Sequence, residues 1–237
     1  MSRLINVDIT DEGWPVLAMA GAATILVSFV ALPVGCFLLG VMIWLAHILR
    51  VPNRLPPSGA DLIVTPVDGR VVQIKHCPAE SGVTPLSYDT LRITIRTKLS
   101  DMQIQTSPIT GHLIDNCLFP GLFAPWPDID YENSDLHQDS WENVRLLNER
   151  REITLRHAWG YEVVIVQLAT KTARQLVCRL SEGKHLVMSD PIGMARLAGV
   201  TDIYVPATCT SDIVIGQHVV AAETILARVP SSLPVGS

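Results

Sequence analysis

No charged side chain occurs between Glu12 and Arg50. That absence excludes an ordinary solvated segment, because Val16 to Leu49 is almost continuously apolar, broken only by Thr24, Ser28, Pro33, Gly35 and His47. Runs of basic residues are missing too. With 18 Lys plus Arg against 23 Asp plus Glu and a net charge of -5, the chain lacks the clustered cations that a nucleic-acid backbone demands, which excludes nucleic acid as a partner. There is no Cys-x-x-Cys pair. Cys36, Cys77, Cys117, Cys178 and Cys209 lie far apart, an odd and scattered set that points to reduced thiols in a cytosolic setting and to neither a disulfide framework nor a zinc site. The seven histidines are equally dispersed, with none paired at metal-ligand spacing.

What is present divides into two parts. The uncharged run would be far longer than the ~30 Å hydrocarbon core if it formed one helix, but Pro33 and Gly35 split it into pieces of roughly 16 residues. It reads as a membrane anchor over residues 1–50, either a helical hairpin that dips in and returns or one tilted span. Arg50 and Arg54 follow the run, whereas Asp8, Asp11 and Glu12 outweigh Arg3 before it, so the positive-inside bias places the rest of the chain on the cytoplasmic face of the inner membrane. A cleavable signal peptide is disfavoured by the acidic leader and the length of the run. Residues 51–60 read as a linker, 61–229 as a β domain and 230–237 as a tail.

Within the β domain, short runs rich in Val and Ile alternate with turn residues: LIVTP, RVVQI, LRITIRT, MQIQTSP, EITLRH, YEVVIVQLA, RQLVCRL, DIYVP, DIVIG and HVVAAETILARV. This spacing predicts a mainly β barrel or sandwich of the barrel-sandwich-hybrid kind. The polar, acidic PWPDIDYENSD stretch reads as a loop beside a site or a plain surface insertion, and Leu136 to Leu147 as loop or short helix. The organising stretch is Ile192 to Pro206, IGMARLAGVTDIYVP, which reads as strand, tight turn at Ala198-Gly199, strand.

Several segments, in order along the chain, resemble the phosphatidylserine decarboxylase family in its short bacterial form. They are LRVPNRLPP, TPVDGRVV (65–72), SPITG (107–111), FPGLF (119–123), NER (148–150), VQLATKTARQLVC (166–178), GMARLAGVTDIYVP and GQHVVAAETILA. The resemblance implies a chain that cuts itself. In that family a serine hydroxyl in the turn attacks the preceding carbonyl, and β-elimination from the ester leaves a pyruvoyl group, the electron sink for decarboxylating phosphatidylserine to phosphatidylethanolamine. An aspartate-oriented histidine assists as base.

Carried over position by position, the aspartate is Asp68, the histidine position holds Gln103 and the serine position holds Gly199. Gln103 cannot take a proton near neutral pH, and Gly199 has neither hydroxyl nor Cβ. The nearest hydroxyl, on Thr201, lies about 6.5 Å further along a strand, too far for the same attack. The family's Pro-Gly-Lys-Phe also becomes Pro120-Gly121-Leu122-Phe123, while Arg174 and Arg196 remain as candidates for an anionic headgroup. The expectation is therefore a membrane-associated homologue with no pyruvoyl group and no other cofactor or metal. It would bind a membrane phospholipid, or pair with a second copy or an active homologue. The alternative is an active decarboxylase processed in an unconventional way.

Overall fold

The structure is a computed structural model and describes residues 13–28, 32–48, 54–79, 86–127, 138–195 and 199–230. The chain forms two compact units, residues 1–53 and 54–237. In the first, helices α1 (Gly13–Ser28) and α2 (Leu32–Ile48) pack against each other. Their apolar composition has no polar face to segregate. Among the described residues no helix is long and apolar enough to cross a membrane, α1 having 16 residues and α2 17.

The second unit is mainly β, as the Val- and Ile-rich runs predict. An eight-stranded antiparallel sheet carries it: β12 (His218–Val219), β2 (Gly69–Cys77), β3 (Thr90–Thr97), β11 (Gly199–Pro206), β7 (Glu162–Leu168), β6 (Arg150–His157), β5 (Gly111–Phe119) and β9 (His185–Leu186), in that spatial order. Two smaller antiparallel sheets accompany it. One pairs β1 (Leu62–Val64) with β13 (Ile225–Arg228), and the other sets β10 (Pro191–Ala195) between β4 (Ile104–Thr106) and β8 (Leu176–Val177).

Three departures from the sequence reading have physical reasons. Strands β10 and β11 flank the predicted turn, whose residues 196–198 lie outside the described residues, but they do not pair with each other; they enter different sheets. The DIVIG run forms no strand and instead makes a turn, with Gly216 in a left-handed conformation. Strand β5 was unmarked because GHLIDNCLF alternates with polar and exposed positions and lacks a Val/Ile run. The stretch 128–137, read as a loop, and the tail from 231 lie outside the described residues.

Both faces of the large sheet are covered. On one, Ile93, Ile95, Leu113, Ile153, Leu155, Ile165 and Ile203 form the main core. On the other, Trp126, Trp141, Val164, Val166, Val200 and Tyr204 form a second. Helix α3 (Gln138–Leu147) lies over that second core, with Trp141, Val144 and Arg145 at the i, i+3, i+4 spacing of one helix face. It is also tethered by buried charge. Arg145 Nε donates to Asp202 Oδ2 of β11 at 2.7 Å, and its Nη2 donates to Thr94 and Gln73. Glu142 accepts from Arg92 of β3 and meets Lys75 of β2.

Burial by itself favours neutral Glu142, but the Arg92 hydrogen bond and the charges of Arg145, Arg92 and Lys75 outweigh it and hold the carboxyl down at about 2, against 4.5. The unfolded chain then binds the proton more readily than the folded one. Stability from this carboxylate is complete above about pH 4.5 and is lost as pH falls towards 2. Acid unfolding of the detergent-solubilised chain, followed by near-ultraviolet circular dichroism, should show this limb. Glu142→Gln should flatten it, and at pH 7 should cost on the order of 1–3 kcal/mol.

Candidate functional site

Strand β11 positions the site. It is buried along its whole length, and its register with β3 sets Gly199 opposite Thr97 and Val200 opposite Arg96. The β2–β3 register then sets Arg70 directly opposite Arg96. Like charges placed opposite each other in an antiparallel pair repel, so this arrangement costs stability unless an anion lies between them. Gly69 permits it: a Cβ there would sit 2.4 Å from the Arg96 carbonyl oxygen, so only glycine lets β2 approach this closely.

The pair opens onto a cavity of about 920 Å³, whose lining includes Arg70, Arg96, Lys98, Lys171, Trp126 and Gly199. Four of its lining residues are cations and none is a carboxylate. Among the described residues none of the four forms an ion pair. Thr97, Thr170 and Thr172 add hydroxyl groups, and Val72, Val200 and Trp126 an apolar wall. Such a space suits an anionic headgroup with part of its apolar body.

The residues carried over from the family motif converge on the same end of β3. Thr97, opposite Gly199, donates its hydroxyl to the Asp68 carbonyl at 2.8 Å. The next residue, Lys98, accepts through its carbonyl from Gln103 Nε2 at 3.0 Å, and Asp101 accepts from the same nitrogen at 2.7 Å. Asp68 is held in a two-point ion pair: Arg54 Nη1 donates to Oδ1 and Nη2 to Oδ2, and the Ala221 amide adds a bond to Oδ1 at 2.7 Å. Arg54 belongs to the LRVPNRLPP segment, so that motif serves to fix Asp68.

The fit of a pyruvoyl group is decided at Gly199, where there is no side-chain oxygen to form the ester and no Cβ from which to eliminate. The nearest hydroxyl along the chain does not replace it. Thr201 is buried and accepts a hydrogen bond from Gln105 Nε2 at 3.0 Å, and Gln105 in turn accepts from Gln167. The residues present do not fit the group. There is nevertheless room for a side chain: a Cβ at Gly199 would lie 3.4 Å from Ala195 Cβ and 3.6 Å from Ala173 Cβ, ordinary contact.

Of the two predicted headgroup ligands, Arg174 is exposed outside the cavity lining, with its guanidinium 5.7 Å from the Phe123 ring centre and its Nε donating to the Lys171 carbonyl. Arg196 and Ala198 lie outside the described residues. Sequence reasoning missed Arg70, Arg96, Lys98 and Lys171. The available signal was the period-two placement of Arg92 and Arg96 on the face of β3 opposite Leu91, Ile93 and Ile95.

The second unit is thus mainly β, with a cationic cavity beside the start of β11. Comparison with known proteins makes the class specific. The phosphatidylserine decarboxylase family model matches residues 41–227, and the chain belongs to that family. It is similar to the phosphatidylserine decarboxylase proenzyme of Nitratidesulfovibrio vulgaris, 28% identical over 94% of this chain and 95% of that one. A proenzyme of the same name from Mycobacterium leprae is 35% identical over 77% of this chain and 70% of its own. That of Beijerinckia indica is 30% identical over 92% and 88%.

Two substitutions probe the scaffold. Asp68→Ala strips the carboxylate from a largely buried Arg54 and should lower unfolding stability in urea by on the order of 3 kcal/mol. Gly199→Ser should shift it by less than about 1 kcal/mol, because the added atoms meet only ordinary contacts.

Proposed function

We propose that this protein is a membrane-attached member of the phosphatidylserine decarboxylase family that holds an anionic phospholipid without making a pyruvoyl group. The observation that carries the reading is the cavity itself. It gathers four cations with no ion-pair partner among the described residues and reaches Gly199, the position at which the reacting serine would stand. The uncharged N-terminal run attaches the chain to the cytoplasmic face of the membrane, and the cavity takes up the headgroup of a lipid. Its role is then to sequester or present that lipid, alone, as a homo-oligomer, or beside an active homologue. Asp68 is retained because the Arg54 pair needs it, whatever the fate of the processing chemistry.

A second reading, an active decarboxylase processed in an unconventional way, is favoured by the alignment with proenzymes over more than nine-tenths of the chain. It requires a nucleophile other than residue 199. Thr201, the nearest along the chain, is buried with its hydroxyl oxygen bonded by Gln105.

Lipid retention tests the first reading. Native mass spectrometry of the gently extracted full chain should show bound phosphatidylserine or phosphatidylglycerol in preference to phosphatidylcholine. Each Arg–phosphate contact is worth about 1.5–3 kcal/mol, so the Arg70→Ala/Arg96→Ala double variant should lose at least about tenfold in occupancy. Unchanged retention in that variant would remove the cavity from the account. In the same preparation, Gly199→Ser alone should stay uncut, because a general base is worth about 10²–10⁴-fold and Gln103 cannot supply one. Combining Gly199→Ser with Gln103→His and Ala198→Gly should yield slow cleavage, visible as two fragments on a denaturing gel.

A further inference from the structure

Helix α3 turns its charges inwards and its leucines outwards. Glu142 and Arg145 face the sheet, while Leu146 and Leu147 are exposed. The loop after β5 comes to meet them. Leu122 donates its amide to the Leu147 carbonyl at 2.7 Å, and the Glu149 amide donates back to Leu122 at 2.9 Å. The contact is rigid, because the buried Asn148 amide bonds both the N–H and the C=O of Ala124 and also the Ala169 carbonyl. Gly121 makes it possible, since a Cβ there would fall 2.5 Å from the Asn148 backbone.

Phe119, Leu122, Phe123, Leu146 and Leu147 are therefore presented on a fixed framework, each between 36% and 59% exposed. Burying them in the core would have been easy in a chain this apolar; a soluble face has no use for five large apolar side chains gathered in one region. Two arginines border the patch. The Arg150 guanidinium, paired with Glu152, lies 4.6 Å from the Phe119 ring centre, and that of Arg174 lies beside Phe123. Arg174 bonds the carbonyl of Lys171, which lines the cavity, so the rim of the patch and the cavity lining share one local turn.

We propose that this patch is a docking surface that seats the β unit on an anionic lipid bilayer, with the apolar side chains entering the headgroup–acyl boundary and Lys171 and Arg174 meeting lipid phosphates. Apolar contact ringed by cations is the pattern of interfacial membrane binding. A second copy is a poorer occupant, because a two-fold contact would set this cationic rim against its own image. The surface is independent of self-processing and holds equally for a cut chain.

Spin labels in the full chain test it. Cys36 and Cys117 are the exposed thiols, so replacing both with Ser leaves Cys77, Cys178 and Cys209 buried and unreactive. Labels go on Leu122→Cys and Leu147→Cys, with Val187→Cys as reference. Val187 follows β9, which pairs with the Gly111 end of β5, about 25 Å along the strand from Phe119. In nanodiscs of phosphatidylcholine with phosphatidylglycerol, access of a water-soluble nickel chelate should fall at least about fivefold at positions 122 and 147 relative to 187, and at most half of that protection should remain in phosphatidylcholine alone. Equal access at all three positions overturns the proposal. So does protection that persists in detergent and rises together with a dimer mass, since the occupant would then be a second copy.

Discussion

The insertion of β11 between β3 and β7 is the constraint on which the site depends. All eight of its residues are buried, and both neighbours fix its register along most of its length. A slip of one residue would reverse which side chains face the main core and which face α3. The same register that packs Ile203 and Val205 inside places Asp202 under α3, where Arg145 reaches it, and begins the strand at Gly199. The Arg145–Asp202 pair is a constraint of its own. Removing either member alone would leave the other charged group buried without its partner, which is far costlier than never having built the pair.

This architecture separates two properties that one turn normally combines. Shaping the backbone at residue 199 depends on β11 and its neighbours, whereas cutting it depends on a hydroxyl and a base. Here β11 and its neighbours are in place, while residues 199 and 103 carry neither a hydroxyl nor a base. The replacements are chemically coherent: Gly199 removes the oxygen, Gln103 turns its amide into the local loop by donating to two carbonyls, and Thr201 is tied to Gln105. What remains is a cavity whose cations have no carboxylate partners among the described residues.

The mainly β class and most strands were legible in the sequence because Val and Ile runs at strand spacing leave few alternatives. Asp68, Gln103 and Gly199 were placed by the ordered motifs, and the structure brings Asp68 and Gln103 to the end of β3 that faces Gly199. The cationic cavity was not legible. Arg70, Arg96, Lys98 and Lys171 come from three separate segments, so the composition reads as acidic and without a basic cluster until strand pairing brings Arg70 opposite Arg96. The role of Arg54 was hidden in the same way, because its partner lies 14 residues further along the chain. Strand β5 has no Val/Ile run, and its exposed positions mix His112 with Ile114, Leu118 and Phe119, so no clean alternation marks it; the partly charged inward face of α3 likewise blurs its helical period.

The proposal stands or falls on whether the chain that holds this cavity stays uncut. The most direct measurement is the intact mass of the full-length protein purified from membranes, taken with and without hydroxylamine. A single chain of about 25.9 kDa with no hydroxylamine adduct is the result this account requires. Two fragments, the smaller beginning at residue 199 or 201 and carrying a trappable carbonyl, would contradict it and make the protein a working decarboxylase.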